Sequence, residues 1–443
     1  MRAYKQILTR EQKQARILLF LIGLFSLTQI RIGGYIGISE FALLLSTPFI
    51  LSKSLSTFRR DGTQTILLLG FLWFLGAVFA DMRNGSPFES YIRGWAVPVC
   101  VTSGILIIYP LLKKYPHGLA WFILGVFLSS ILSIFVFQPG TSVGRAAVQS
   151  GAISAAESIM DYKLFWINRI GQLITLPIKG WYLSVPYIYS IIGTLGMSIF
   201  ALLEGGRSAF AVYAGSAFIL LLGGKNQSRM SNIRKQFPII VMLIIGIAFA
   251  MRGIYRYAAE RGIMGETEKI KYEEQTLGGK GGFMQMLRSG RGAFFIAADV
   301  ALKHPIVGMG SHAIDRHGYV LQYVRKYGSD QSLKLVLDEI ALTGGCVISG
   351  HSHIICFWLW HGIFGLIFWI YVLYQLTATF FTRLHVVPEF FGYFALTLPT
   401  YFWDIFFSPF GNRLNFCMLV CVCLLVRHIA DESRKGYYIG RGR

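Results

Sequence analysis

The feature that most limits how this chain can fold is a series of apolar runs, each near the roughly 20 residues that carry a helix across a bilayer. They begin near residues 17, 35, 64, 95, 118, 181, 208, 236, 352, 389 and 414. In hydrocarbon every backbone N–H and C=O must find a partner within the protein, which only helices and closed barrels achieve across a membrane. Runs of this length point to helices. Composition agrees: 54% of the 443 residues are hydrophobic and 14% charged, against about 25% charged in soluble domains. Trp and Tyr gather near the ends of the runs, as interfacial belts require.

The net charge of +20 raises nucleic acid as a partner. Polytopic membrane proteins, however, hold their excess Lys and Arg in cytoplasmic loops, so the charge reports topology and no nucleic acid is expected. Lys53, Arg59 and Arg60, then Lys113 and Lys114, then Lys225, Arg229, Arg234 and Lys235 mark three such loops. With the N-terminus inside, the first two fit at once. The third fits only if a partly polar span lies between 139 and 180, a stretch containing MDYKLFWINRIGQLITLPIKG. The expected architecture is an all-α polytopic membrane protein of about 12 transmembrane helices, with both termini cytoplasmic. Residues 1–251 hold the spans up to a large outer loop at 252–350; three more spans fill 351–430, and 431–443 form a basic cytoplasmic tail.

Before the first run lie Arg2, Lys5, Arg10, Lys13 and Arg16, without the small-residue cleavage site of a signal peptide, so the first helix is expected to be retained. All cysteines but Cys346 (Cys100, Cys356, Cys417, Cys421 and Cys423) lie in apolar runs with no CxxC pair. That pattern supports neither a disulfide framework nor a zinc knuckle.

An outer loop of this length exceeds ordinary connections and is expected to be structured and functional. DQSLKLVLDEIALTGG (330–345) places Leu333, Val336, Leu337, Ile340 and Ala341 on one helical face, with Asp330 as N-cap and Gly344 as stop. GRGAFFIAADVALKHP reads as a second helix, closed by Lys303, His304 and Pro305. Such helices lie on the membrane surface or roof a cavity.

Three features near the outer face could carry chemistry. In EGGRSAFAVYAG (204–215) Arg207 sits at the junction of two spans. Two readings stand level: an interfacial Arg that snorkels to lipid phosphate, or an anion clamp at a helix start. In LRSGRGAFF (287–295) Arg288 and Arg291 surround Ser289 and Gly290 just before a helix. Glycine lets a backbone approach an anion, and guanidinium binds phosphate bidentately. This signal gains weight only beside Arg207.

In SGHSHIICFWLWHGIFGLIFW (349–369) His351 and His353 stand before an apolar run. A metal, a structural interfacial role and acid–base work are all open readings. A catalytic zinc normally has three protein ligands, and no acidic or Cys partner has an evident spacing here, so no metal is expected. Acid–base work is favoured: an imidazole titrates near pH 6.5, and nearby arginines push it towards the neutral, base-competent form. Glu40 and Asp404 are ionisable groups inside spans, Asp404 reading as a structural ion pair with Arg413. Arg93 and Arg145, in outer loops, are accessory phosphate contacts.

With these residues in hand, the chain resembles the bacterial O-antigen ligase and O-antigen polymerase superfamily, over about 140 to 411. EGGRSAFAVYAG looks like the family's arginine motif at a span junction. SGRGAFFIAADVALKHPIVGMG looks like its outer-loop segment, an Arg, a short helix and a Pro-x-x-Gly-x-Gly turn, here Pro305, Gly308 and Gly310. HSHIICFWLWHGIFG resembles its His-Asn motif with a Gly-x-x-Gly pair, here Gly362 and Gly365; the spacing singles out His351, and Ser352 replaces the usual Asn.

The resemblance implies a glycosyltransferase of the C-type architecture in the bacterial inner membrane, its active site facing the periplasm. The implied donor is an undecaprenyl-diphosphate-linked glycan. The acceptor is a glycan or lipid A core, a chain-length regulator is a partner, and no cofactor is expected. Arg207 and Arg291 would bind the diphosphate with Arg288 as helper; His351 would take the proton of the acceptor hydroxyl, and His353 would line the site. Ser352 and WDIFFSPFG favour a polymerase of O-antigen or exopolysaccharide repeat units, with a ligase as the alternative. From other classes, Pro98 and Pro110 as helix breakers would suit a lipid-linked glycan transporter, and a structural assembly subunit would tolerate loss of Arg207 and His351.

Overall fold

Each apolar run that the structure describes is helical, as satisfaction of the backbone in lipid demands. The computed structural model describes residues 8–31, 35–136, 187–203, 207–223 and most of 291–441, with isolated positions between 253 and 288. The expected span between 139 and 180, the run near 236 and Arg145 lie outside the described residues. The first half comprises α1 (Arg10–Leu24), β1 (Gln29–Arg31), β2 (Tyr35–Gly37), α2 (Ile38–Arg60), α3 (Thr65–Asn84), α4 (Phe88–Lys114) and α5 (Gly118–Val136). Then come α6 (Tyr187–Leu203), α7 (Arg207–Gly223), α8 (Gly292–Lys303), α9 (Tyr319–Tyr327), α10 (Asp330–Thr343), α11 (His353–Thr382), α12 (Phe391–Phe407) and α13 (Arg413–Arg441).

Five helices among the described residues are long and apolar enough to cross a bilayer: Ile38–Arg60, Thr65–Asn84, Phe88–Lys114, His353–Thr382 and Arg413–Ser433. Shorter apolar stretches are Gly118–Ile131, Ile188–Leu202 and Ser208–Leu222. This is an all-α membrane architecture, but the described count is five rather than about 12. The N-terminal run shows one reason. Helix α1 starts in the charged segment and has 15 residues, which at 1.5 Å each cover about 22 Å of a roughly 30 Å core. A second departure is the antiparallel pair β1–β2, in which Ile30 opposes Ile36. Helix α4 runs unbroken through Pro98 and Pro110, so neither proline breaks a helix.

The main core joins α3, α4, α11 and α13. Trp73 stacks on Phe368 at 4.6 Å between centroids and meets Phe357 edge-on at 4.9 Å, while Trp369 lies 4.8 Å from Phe416. Each such pair contributes about 0.5–1.5 kcal/mol beyond simple burial. Arg413 pairs not with Asp404 but with Glu40, through two bonds of 2.7 and 2.6 Å; Glu40 also accepts the Gly37 N–H at 2.9 Å.

At one end of the helices the basic residues collect. Buried Asp61 accepts from Lys113 at 2.5 and 2.7 Å and from the Tyr109 hydroxyl at 2.8 Å, with His428 3.7 Å away. Lys114 pairs with Glu11 at 2.9 Å. Arg59 and Arg60 sit in the last turn of α2 and Lys113 and Lys114 in the last turn of α4, while Lys53 lies two turns before the end of α2.

The segment before α11 holds both expected helices: α10 begins at Asp330, and α8 closes at Lys303 with His304 as C-cap. It also holds α9, which begins after Gly318 in a left-handed conformation (φ 70°) and stops before Gly328.

Candidate active site

Helices α8 and α11 start at the same place. Arg291 is the N-cap of α8. Ser352 is the N-cap of α11, its hydroxyl accepting the Ile355 N–H at 3.2 Å, and His351 directly precedes it. The last turn of α12 joins the two starts, since its terminal carbonyls lack partners within the helix. Ser352 Oγ donates to Ile405 O at 2.8 Å, and Arg291 Nη1 donates to Phe407 O at 3.2 Å. The Arg291 guanidinium also lies over the rings of Trp403 (5.0 Å) and Phe407 (5.5 Å). One helix end thus sets the arginine and the histidine beside each other.

Between them opens a cavity of about 320 Å³, lined on one side by Arg288, Arg291, Gly292 and His351 and on the other by Val320, Tyr323 and Tyr327 of α9. Arg288 is 4.7 Å from the Tyr327 ring, and its carbonyl accepts from the Tyr323 hydroxyl at 3.3 Å. The N–H groups of the first turn of α8 and the helix dipole add positive potential to the two guanidinium groups. Partial burial and the charge of Arg291 lower the pKa of His351 below its usual 6.5, so its neutral, proton-accepting form prevails at neutral pH. The cavity can hold an anion next to a base.

Two other expected site residues, His353 and Arg93, fall elsewhere. His353 faces inward, 5.0 Å from the Trp369 ring and 4.8 Å from that of Phe410, and does not line this cavity. Arg93, in the second turn of α4, is 3.7 Å from Glu89 and exerts its charge on His312. Arg207 begins α7, which packs on α12; its side chain lies outside the described residues.

A second polar cluster, which sequence reasoning missed, lies under the first. Helix α11 is broken at Gly362 (φ 64°, ψ −151°), and the Pro305–Gly310 turn fills the break. Met309 N–H donates to Leu359 O (2.7 Å), Gly310 N–H to Trp360 O (3.0 Å) and Ile363 N–H to Ile306 O (2.9 Å). Beside this turn Trp73 Nε1 donates to His361 Nδ1 at 2.8 Å, and His361 Nε2 lies 3.1 Å from Ser311 Oγ. An indole is only a donor, so the neutral ring carries its proton on Nε2 and gives it to the serine. Ser311 Oγ then donates to Asp81 Oδ2 at 2.7 Å, and Ser311 N–H (2.5 Å) and Trp95 Nε1 (2.8 Å) also donate to that carboxylate. The wiring is not that of a Ser-His-Asp triad: His361 donates to the serine and cannot serve as its base. The signals were present as an acid at a span end in FADMRN and a His beside Gly in WHG. Against known proteins, no family model, curated protein or solved structure matches the chain.

Proposed function

We propose that this protein is a membrane glycosyltransferase that moves a glycan from an undecaprenyl-diphosphate donor to an acceptor hydroxyl, joining repeat units of a surface polysaccharide. The observation that carries this reading is the meeting of Arg288, Arg291, the start of α8 and a base-form His351 around one cavity. A diphosphate on a lipid is already a good leaving group. What the reaction needs is positive charge where the glycosidic bond breaks and a base where the acceptor arrives.

In this mechanism the acceptor oxygen attacks the anomeric carbon as His351 takes its proton. The bond from that carbon to the diphosphate oxygen breaks, and the departing negative charge falls on Arg291, Arg288 and the free N–H groups of α8. The charge is supplied by guanidinium groups and needs no metal. Tyr323 and Tyr327 offer faces on which sugar rings stack. Arg207, at the start of α7, would add a third guanidinium to the diphosphate. Helix α7 packs on α12, with Gly215 against Pro399. The proposed topology completes the crossings to 12 and puts the cavity on the periplasmic side of the inner membrane, opposite the basic cytoplasmic end.

The test is purified protein with a lipid-diphosphate glycan in EDTA, comparing wild type with His351→Ala and Arg291→Ala. Turnover in wild type and its loss in both variants is the expected result. Turnover that needs added metal, or survives undiminished in both, defeats the mechanism.

A further inference from the structure

Helices α8 and α11 leave the cavity side by side, α8 packing along the first half of α11 through Ile296, Ala297, Val300 and Leu359. Two parallel rods joined at one end only can splay. Their cavity ends are joined through α12. Their far ends are joined by the turn seated in the break at Gly362, where a Cβ on Gly362 would run into Ile306 O. What keeps the turn seated is a buried polar cluster: Asp81, Ser311 and His361 are all at most 2% exposed. Asn84 adds a bond from its side chain to Gly308 O at 3.2 Å.

Breaking one bond in such a cluster leaves its partner unsatisfied away from water, so the arrangement holds or fails as a unit. Nothing in the cluster reaches the cavity. Its hydrogen bonds fix where the loop after α8 meets α11, and so fix the separation of the arginine and histidine that stand at the other ends of those helices.

We infer that Asp81 and Ser311 are positioning residues for the transfer reaction, locking the far ends of α8 and α11 so that Arg291 and His351 keep their mutual geometry. This rests on the reading of Arg291 and His351 given above. A displacement of about 1 Å at a reacting pair costs as much as 100-fold in rate. In Ser311→Ala and Asp81→Asn, kcat is therefore expected to fall 10- to 100-fold, while KM for the lipid donor stays within about twofold because the arginines remain available to bind.

A readout independent of turnover separates positioning from a loss of folded protein. The pH midpoint of His351 carbethoxylation by diethyl pyrocarbonate, mapped by mass spectrometry on the monodisperse fraction, reports how closely Arg291 faces the imidazole. The other groups around that cavity, Arg288, Tyr323 and Tyr327, are unchanged in these variants. The expected result is a rise of the midpoint towards the ordinary imidazole value in both. A midpoint that stays at the wild-type value in either folded variant overturns the inference. Asn84→Ala, which removes a contact to the turn without touching Asp81 or Ser311, replaces any variant that does not fold. A shifted midpoint in a protein whose His351→Ala variant still turns over would retain the positioning lock and reject the catalytic reading.

Discussion

His351 and His361 stand at opposite ends of one half-helix, and their surroundings differ in kind. His351 faces a cavity with cations beside it. His361 is fully buried and bonded on both ring nitrogens, between an indole and a serine. The first environment keeps the ring neutral and so able to accept a proton; the second uses up both nitrogens and makes the ring a rigid joint. A histidine becomes useful for chemistry where its hydrogen bonding is left incomplete and useful for architecture where it is complete.

This contrast can be broken in order of effect. Replacing His351 with Ala should cost about 10² to 10⁴ in kcat, the range for a general base, with no change in thermal unfolding in detergent. An unchanged kcat would place the base elsewhere. Arg291→Ala should cost about 10² to 10³, as for one donor to developing negative charge. It should also move the pH profile. Activity that needs neutral His351 is full at neutral pH and falls as the pH drops through the lowered pKa, so the acid limb lies below 6.5 in wild type. Without the neighbouring cation the limb should shift upward. A limb that stays put in kcat/KM measurements would deny that Arg291 faces the histidine.

On the architectural side, Gly362→Ala should lower stability by about 2–3 kcal/mol, since that backbone conformation is nearly restricted to glycine. Thermal unfolding and size exclusion would read the loss. The smallest effect should come from Ser352→Asn, within a few tenths of a kcal/mol, because Asn caps a helix as well as Ser does and can also donate. Ser352→Ala should cost about 1 kcal/mol. If Asn proved as costly as Ala, capping would not be what the position requires.

Local patterns were legible and distant pairings were not. The borders of α8 and α10 followed from Pro305 and Asp330, signals lying within a turn of the helix ends they mark. Helix α9 escaped because its start depends on the left-handed backbone of Gly318 rather than on a capping side chain. The short pair β1–β2 was readable in IRIGGYIG, where Gly33 and Gly34 separate alternating residues, but the apolar run beginning near 35 drew the reading towards a span. Arg291 and His351 were legible as types and positions. That α12 would hold both, and that Glu40 rather than Asp404 would pair with Arg413, depended on packing between segments far apart in the chain.

The bond between Asp81 and Ser311 spans 230 residues. Chains are synthesised at about 5–20 residues per second, so the carboxylate is made on the order of 10 to 50 seconds before its serine. During biogenesis α3 therefore enters the bilayer with an acid that has only Trp95 nearby among its final partners, and the half-made protein carries a polar mark of its incompleteness. That mark disappears only when the turn after α8 and the broken helix α11 arrive together.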